Sequence, residues 1–183
     1  MNDSLRKWYF KLVKECRRCE LWKTRRNVVI GRGQVPADIL FLGEAPGEME
    51  DMLGEPFVGP SGRVLNDLLT LSGLGAYSYY VTNCVMCRPV DPEGGNREPS
   101  GSEIEDCMKH VEVIYETITP KVVVCLGAVA LKYYLKRWKG VEVFHCFHPA
   151  FLLKNGEGTP SWTHNVRVFE DVVSYLKNLK REG

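Results

Sequence analysis

The stretch Ile39–Pro60, ILFLGEAPGEMEDMLGEPFVGP, opens on an apolar run with strand character and breaks at Gly43-Glu44-Ala45-Pro46-Gly47. It then passes through an acidic patch and ends on an isolated phenylalanine, Phe57, between Pro56 and Gly59. An apolar strand running into a glycine-rich turn is the junction expected where a buried strand hands the chain to a helix. The first strand is predicted over Asp38–Leu42, and β-branched or aromatic runs predict three more over Tyr79–Val85, Lys121–Leu126 and Val141–Phe147.

Helical periodicity fills the intervals. Predicted helices cover Ser4–Glu15, Ser61–Leu71, Ser102–Ile118, Ala128–Trp138 and Val166–Leu179. Strands that are apolar on both faces and alternate with helices predict an α/β fold: a central four-stranded parallel sheet covered on both sides, a three-layer α/β/α arrangement. In such sheets ligands sit beyond the carboxyl ends of the strands. The unusual residues fall there: GEAPG after the first strand, TNCVMCRP closing the second, LGAVA after the third and FHPAFLL after the fourth. Two Pro/Gly-rich segments, RPVDPEGGNREPSGS and KNGEGTPSWTHN, read as irregular loops.

At 183 residues, 44% of them hydrophobic, the chain suits one domain over 1–183 with a proper core. Twenty-four Lys and Arg against twenty-three Asp and Glu give a formal charge of +1, so overall charge does not attract a nucleic acid and a local patch would have to. Lys14, Arg17, Arg18, Lys23, Arg25, Arg26 and Arg32 form such a patch or a solvated helix and loop. The longest apolar run, from Val122, is too short to span a bilayer, and charges interrupt the N-terminus where a secretory signal would be apolar. The expected setting is cytoplasmic and reducing. There, cysteines at ligand spacing suggest metal binding more than disulfides.

Seven cysteines are present. Cys16 and Cys19 form one C-x2-C pair and Cys84 and Cys87 a second, with Cys107 further along. Spacing alone would join the two pairs in a four-thiolate site for zinc or an iron–sulfur cluster. Cys125 and Cys146 read as small buried hydrophobes.

With these residues in view, the chain resembles the iron–sulfur-containing (family 4) uracil-DNA glycosylases. The motifs that carry the resemblance run in order over nearly the whole chain: the early C-x2-C, GRGQVPADILFLGEAPGEMED, GEPFVGPSGRVLNDLL, YVTNCVMCRP, Cys107, PKVVVCLGAVAL and FHPAFLL. The resemblance implies a uracil-DNA glycosylase-like fold and a [4Fe–4S] cluster on Cys16, Cys19, Cys87 and Cys107, with Cys84 outside the set. It also implies hydrolysis of the N-glycosidic bond of a flipped-out deoxyuridine in base-excision repair, on single- or double-stranded DNA, by a monomer. Three features depart from the family: a short segment before FHPAFLL, Pro60-Ser61 where Arg-Ala is common, and a long loop between Cys87 and Cys107.

Each chemical demand of that reaction then has a candidate. Phe57 offers a stacking surface for the flipped base, its alternative being a core aromatic. Asn83 can donate to uracil O4 and accept from N3–H, its alternative being a strand-terminal turn residue. His148 can donate to O2 as uracil leaves, and Glu44 can orient the attacking water. Gly43 and Gly47 allow the backbone close to the base. Glu50 is a further candidate within an acidic run otherwise expected to be a solvated helix start. Leu152 or Leu153 would fill the gap left by the base, with Lys154 near a phosphate. Two rivals remain at this point: a non-catalytic cluster protein that binds DNA or a replication partner, and a zinc-stabilised α/β domain that binds another nucleobase.

Overall fold

Five residues of Ile39–Gly43, all buried, form β2 at the centre of the sheet. Its neighbours are β3 (Tyr79–Asn83) and β4 (Val122–Leu126), and β5 (Glu142–Cys146) lies outside β4. All three of these pairings are parallel. The structure, a computed structural model, describes residues 3–138 and 140–182; Lys139 and the ends of the expected 1–183 domain lie outside the described residues.

Because alternate strand residues face opposite sides, the sheet builds two cores. Leu40, Leu42, Val123 and Cys125 point to one, where they meet Ile104, Met108, Val111 and Ile114 of α4 (Gly101–Ile118) and Ala130 and Tyr134 of α5 (Ala128–Arg137). Ile39, Phe41, Val122, Val124 and Leu126 point to the other. There they meet Leu65, Leu68 and Leu69 of α3 (Pro60–Ser72) and Phe169, Val172 and Leu176 of α7 (Pro160–Glu182). Each such side chain contributes about 1.5–3 kcal/mol by leaving water, so the three layers hold each other. The opening helix α1 (Asp3–Lys14) adds Val13 to the first core. Among the described residues no helix is long and apolar enough to cross a membrane.

Among the described residues the sheet has five strands, the four expected parallel ones and an edge strand that was not predicted. β1 (Arg32–Gly33) pairs antiparallel with β3, Arg32 opposite Val81 and Gly33 opposite Tyr80. Two residues are too few to show a period. Gly33, at φ +131, runs so close to the backbone of Tyr79 and Tyr80 that no Cβ would fit. β3 ends at Asn83, two residues earlier than expected, and β5 is a half-exposed edge where a strand buried on both faces was expected.

One helix was not predicted, and the helix expected over Val166–Leu179 starts six residues earlier, in a segment read as a loop. α6 (Pro149–Asn155) starts directly from His148, and α7 begins at Pro160 inside the KNGEGTPSWTHN segment. In both, the proline sits in the first helical turn, where its missing N–H costs nothing and its fixed φ suits the helix. A short helix, α2 (Glu48–Leu53), completes the set.

Candidate active site

Gly43 and Asn83 are register partners at the ends of β2 and β3, so the loops that leave these strands open side by side. β4 ends one strand over, and Gly127, at φ +93, leaves space for His148, whose Cβ would lie 3.2 Å from any Cβ at that position. The strand ends thus surround one cavity of about 330 Å³, lined by Glu44, Gly47, Glu50, Phe57, Asn83 and His148 among others.

Phe57 is held in an uncommon backbone conformation, φ +54, which costs about 1–3 kcal/mol and needs local support. That support is specific. Glu50 Oε1 accepts hydrogen bonds from the Val58 and Gly59 amides at 3.1 and 2.8 Å, and Arg32 Nε donates to the Pro56 carbonyl at 3.0 Å. Gly62, in the first turn of α3, admits the Phe57 carbonyl where a Cβ would collide. The ring is buried against Gly43, with its centroid 5.9 Å from that of His148 and the two planes 31° apart.

The acidic run is therefore more than a solvated helix start. Glu50 is buried and clamps the phenylalanine loop, and Asp51 is buried too. Asp51 accepts from the Arg26 and Asn27 amides at 2.9 and 3.2 Å, and Asn27 Nδ2 donates back to the Asp51 carbonyl at 2.8 Å. These bonds tie the segment between the first cysteines and β1 to α2. Of the run, Glu48 is exposed.

Asn83 is 2% exposed, and its Oδ1 accepts no hydrogen bond among the described residues. An unpaired buried acceptor is costly, and Asn83 lines the cavity wall. The His148 imidazole is oriented from behind: the Ala150 amide donates to Nδ1 at 3.2 Å, so the neutral ring carries its proton on Nε2. Burial pushes the imidazole down to about 4, opposed by the nearby Glu50 carboxylate. Glu44 is half-buried, and burial, followed by repulsion from Glu98, raises its carboxyl above the usual range. Among the described residues nothing donates a hydrogen bond to that carboxylate.

Ser61, Asn96, Arg97 and Phe151 also line the cavity, and sequence reasoning missed all four. Asn96 and Arg97 belong to the long loop before α4. That loop is knit by Arg88 Nε donating to Asn96 Oδ1 at 2.6 Å and by Arg97 forming two bonds to Glu103 at 2.9 and 2.6 Å. Ser100 and Glu103 form a capping box, which sets where α4 begins. The Ser-x-x-Glu spacing in SGSE was the available signal for that helix start.

The leucines after His148 divide. Leu152 is 1% exposed and packs in the second core, which corrects its candidacy as a DNA wedge, whereas Leu153 is 48% exposed. Helix α6 gives successive residues different faces. Lys154 is exposed beside Leu153. In the basic N-terminal stretch, Arg32 and Arg25 are engaged within the protein and Arg17 lies 4.8 Å over the Trp22 ring, while Lys14, Arg18, Lys23 and Arg26 are exposed.

Cys16, Cys19, Cys87 and Cys107 line one small cavity between the turn after α1, the loop after β3 and α4. Cys84 is buried and does not line it, and Cys125 and Cys146 are buried in strands. Each of the four sulfurs has a nitrogen beside it. His110 Nε2, Arg25 Nη1 and the Met86 amide lie 3.3 Å from the sulfurs of Cys16, Cys87 and Cys107, and the Leu21 amide bonds Cys19. Burial pushes the Cys87 thiol up to about 11 and the Cys107 thiol up to about 12. Among the described residues no three His, Cys, Asp or Glu side chains are grouped closely enough to hold a single metal ion.

The strand ends of this α/β sheet thus bring an aromatic ring, an amide with an unpaired oxygen, an imidazole and a carboxylate to one cavity. The family model described as the uracil DNA glycosylase superfamily matches residues 30–177, and the chain belongs to that superfamily. It is 36% identical over 188 residues to the type-4 uracil-DNA glycosylase of Thermotoga maritima, covering 93% of both chains. It is 38% identical over 162 residues to that of Archaeoglobus fulgidus, with 77% of this chain and 79% of the relative covered. With the type-4 enzyme of Saccharolobus solfataricus it shares 40% identity over 165 residues, 78% and 74% of the two chains.

Proposed function

We propose that the chain is a uracil-DNA glycosylase of base-excision repair, acting as one domain and a monomer on uracil-containing DNA within the cell. The observation that carries this reading is the buried Asn83, its Oδ1 unpaired, lining the same cavity as Phe57, Glu44 and His148. Uracil N3–H supplies the donor that Oδ1 lacks, and the Asn83 amide donates to O4. Cytosine presents the opposite pattern at both positions and would leave buried polar atoms unpaired. Phe57 stacks on the captured ring.

Water attacks the sugar C1′ as the bond from C1′ to N1 breaks, and the bonding pair leaves with uracil as an anion. His148 Nε2–H donates to O2, where that charge gathers. Glu44 orients the water, opposes the positive charge on the sugar, and accepts the proton that the water loses. Leu153 and Lys154 stand on the exposed face of α6, suited to the vacated stack and a phosphate. The seating of His148 in the cavity, despite the short segment before it, favours the enzyme over a non-catalytic DNA-binding or partner-binding homologue.

The four cavity-lining cysteines fit a [4Fe–4S] cluster. Four thiols, Cys87 buried and Cys16, Cys19 and Cys107 half-buried, face one cavity, and the N–H groups of Arg25 and Met86 directed at Cys87 and Cys107 suit thiolates there. A cluster bound there would cross-link the turn after α1 to the loop after β3 and to α4. The reading is tested by uracil release from single- and double-stranded oligonucleotides, with Asn83→Asp as the control. A carboxylate accepts from the cytosine amino group and has no donor for uracil O4, so discrimination between the two bases should blur. Unchanged selectivity in that variant would overturn the assignment of Asn83.

A further inference from the structure

His110 lies on α4 one turn beyond Cys107, is 7% exposed, and uses both ring nitrogens. Its Nδ1 is 2.6 Å from the Tyr9 hydroxyl on α1, and its Nε2 is 3.3 Å from Cys16 Sγ. A neutral imidazole carries one proton, so only two arrangements exist. In one, Tyr9 donates to Nδ1 and Nε2–H donates to sulfur. In the other, Nδ1–H donates to Tyr9 and the Nε2 lone pair faces sulfur, which then has to be a protonated thiol. A metal-bound cysteine has lost its proton, so ligation leaves only the first arrangement.

At the same cavity, Arg25 Nη1 points at Cys87 Sγ at 3.3 Å while Nη2 donates to the carbonyl of Lys14, the last residue of α1, at 3.2 Å. Tyr9 and Lys14 thus tie one helix to two sulfur-directed side chains. Neither His110 nor Arg25 has a part in the base pocket, so nothing in the excision chemistry accounts for them.

We propose that His110, oriented by Tyr9, and Arg25 are positioning residues for the cluster, donating hydrogen bonds to the Cys16 and Cys87 thiolates and thereby raising its reduction potential. This rests on the cluster assignment above. A donor to thiolate sulfur draws negative charge from the metal centre, and the more negative reduced state gains more from it than the oxidised state. Arg25 adds a full positive charge to the same effect.

The experiment uses the full-length protein, with iron and acid-labile sulfide measured first, then a mediated redox titration and the iron–cysteine stretching frequencies by resonance Raman. His110→Leu and Arg25→Leu should each lower the potential and shift those stretches to higher frequency as the iron–sulfur bonds lose their hydrogen bonds. Tyr9→Phe, which keeps the ring and removes only the hydroxyl, should move both readouts the same way by less and covers the case in which His110→Leu fails to load. His110→Gln, which retains an N–H donor, should restore most of the wild-type values. Loaded variants with unchanged potential and spectrum would overturn the proposal. Wild-type protein without iron and sulfide would overturn the cluster assignment on which it stands, and the first measurement separates that outcome from the other.

Discussion

Gly43 and Asn83 face each other across two parallel strands, and the Asn83 amide oxygen lies where a Cβ on residue 43 would stand. The Phe57 ring closes the same space, 2.9 Å from that Cβ position. The glycine is thus a requirement of the pocket, since any side chain must displace the Asn83 amide or the Phe57 ring. Gly43→Ala should leave the fold intact by circular dichroism yet slow single-turnover uracil release at least tenfold, because misplaced recognition groups are as costly as missing ones. Wild-type rates in this variant would mean that neither group reads the base.

Two C-x2-C pairs compete for the role of ligand, and the fold separates them. Cys87→Ser should bleach the protein and lower its melting temperature, because Cys87 lines the cavity shared with Cys16, Cys19 and Cys107. Cys84→Ser should keep its iron, since Cys84 is buried away from that cavity, its amide bonded to the Gly43 carbonyl at 2.9 Å. Iron content and visible absorbance decide between them.

The limits of the sequence show at particular residues. The central strands and the main helices were legible because burial on both faces forces continuous apolar runs, and helical burial forces a 3.6-residue period. β1 and α6 were not, being two and seven residues long. The start of α7 was masked because Gly and Pro also punctuate loops. Of the site, residues next to strand ends could be found by topology alone. Asp51 and Asn96 could not, since their partners lie 25 and 8 residues away and no local pattern encodes those contacts.

Glu50 holds two amides of the phenylalanine loop with one oxygen. Glu50→Ala leaves both N–H groups without that acceptor and removes the support for the positive φ of Phe57. Each lost hydrogen bond to a charged group costs about 1.5–3 kcal/mol, so a clear fall in the urea midpoint and slower excision are expected together. Glu50→Gln keeps an acceptor oxygen and should lose much less of either. Equal losses in the two variants would show that the charge, and not the clamp, matters.

Burial raises the Glu44 carboxyl pKa, so the folded state penalises the ionised form, the form that the proposed role of Glu44 uses. A raised folded pKa means stability that is present below the unfolded pKa and lost as pH rises through the folded one. Glu44→Gln should therefore melt higher than wild type at neutral pH, with the gain vanishing in acid, while uracil release falls at every pH. A variant less stable than wild type at neutral pH would assign Glu44 a structural bond that the fold does not contain.

His148 separates chemistry from binding. The Ala150 amide occupies Nδ1, leaving Nε2–H toward the cavity, and burial holds the imidazole near 4, so the ring is neutral at physiological pH. A neutral donor aimed at charge that appears only as uracil departs stabilises the transition state far more than the bound substrate. His148→Ala should slow single-turnover excision by about a hundredfold while scarcely changing the dissociation constant for uracil-containing DNA. Phe57→Ala should weaken both, because the stacking surface acts on the captured base before any bond breaks. The wild-type pH–rate profile should also lack a limb at 6.5, the ordinary histidine value from which burial has moved this group. A limb there would mean that the catalytic form is the imidazolium, and a wild-type rate in His148→Ala would remove the residue from the chemical step altogether.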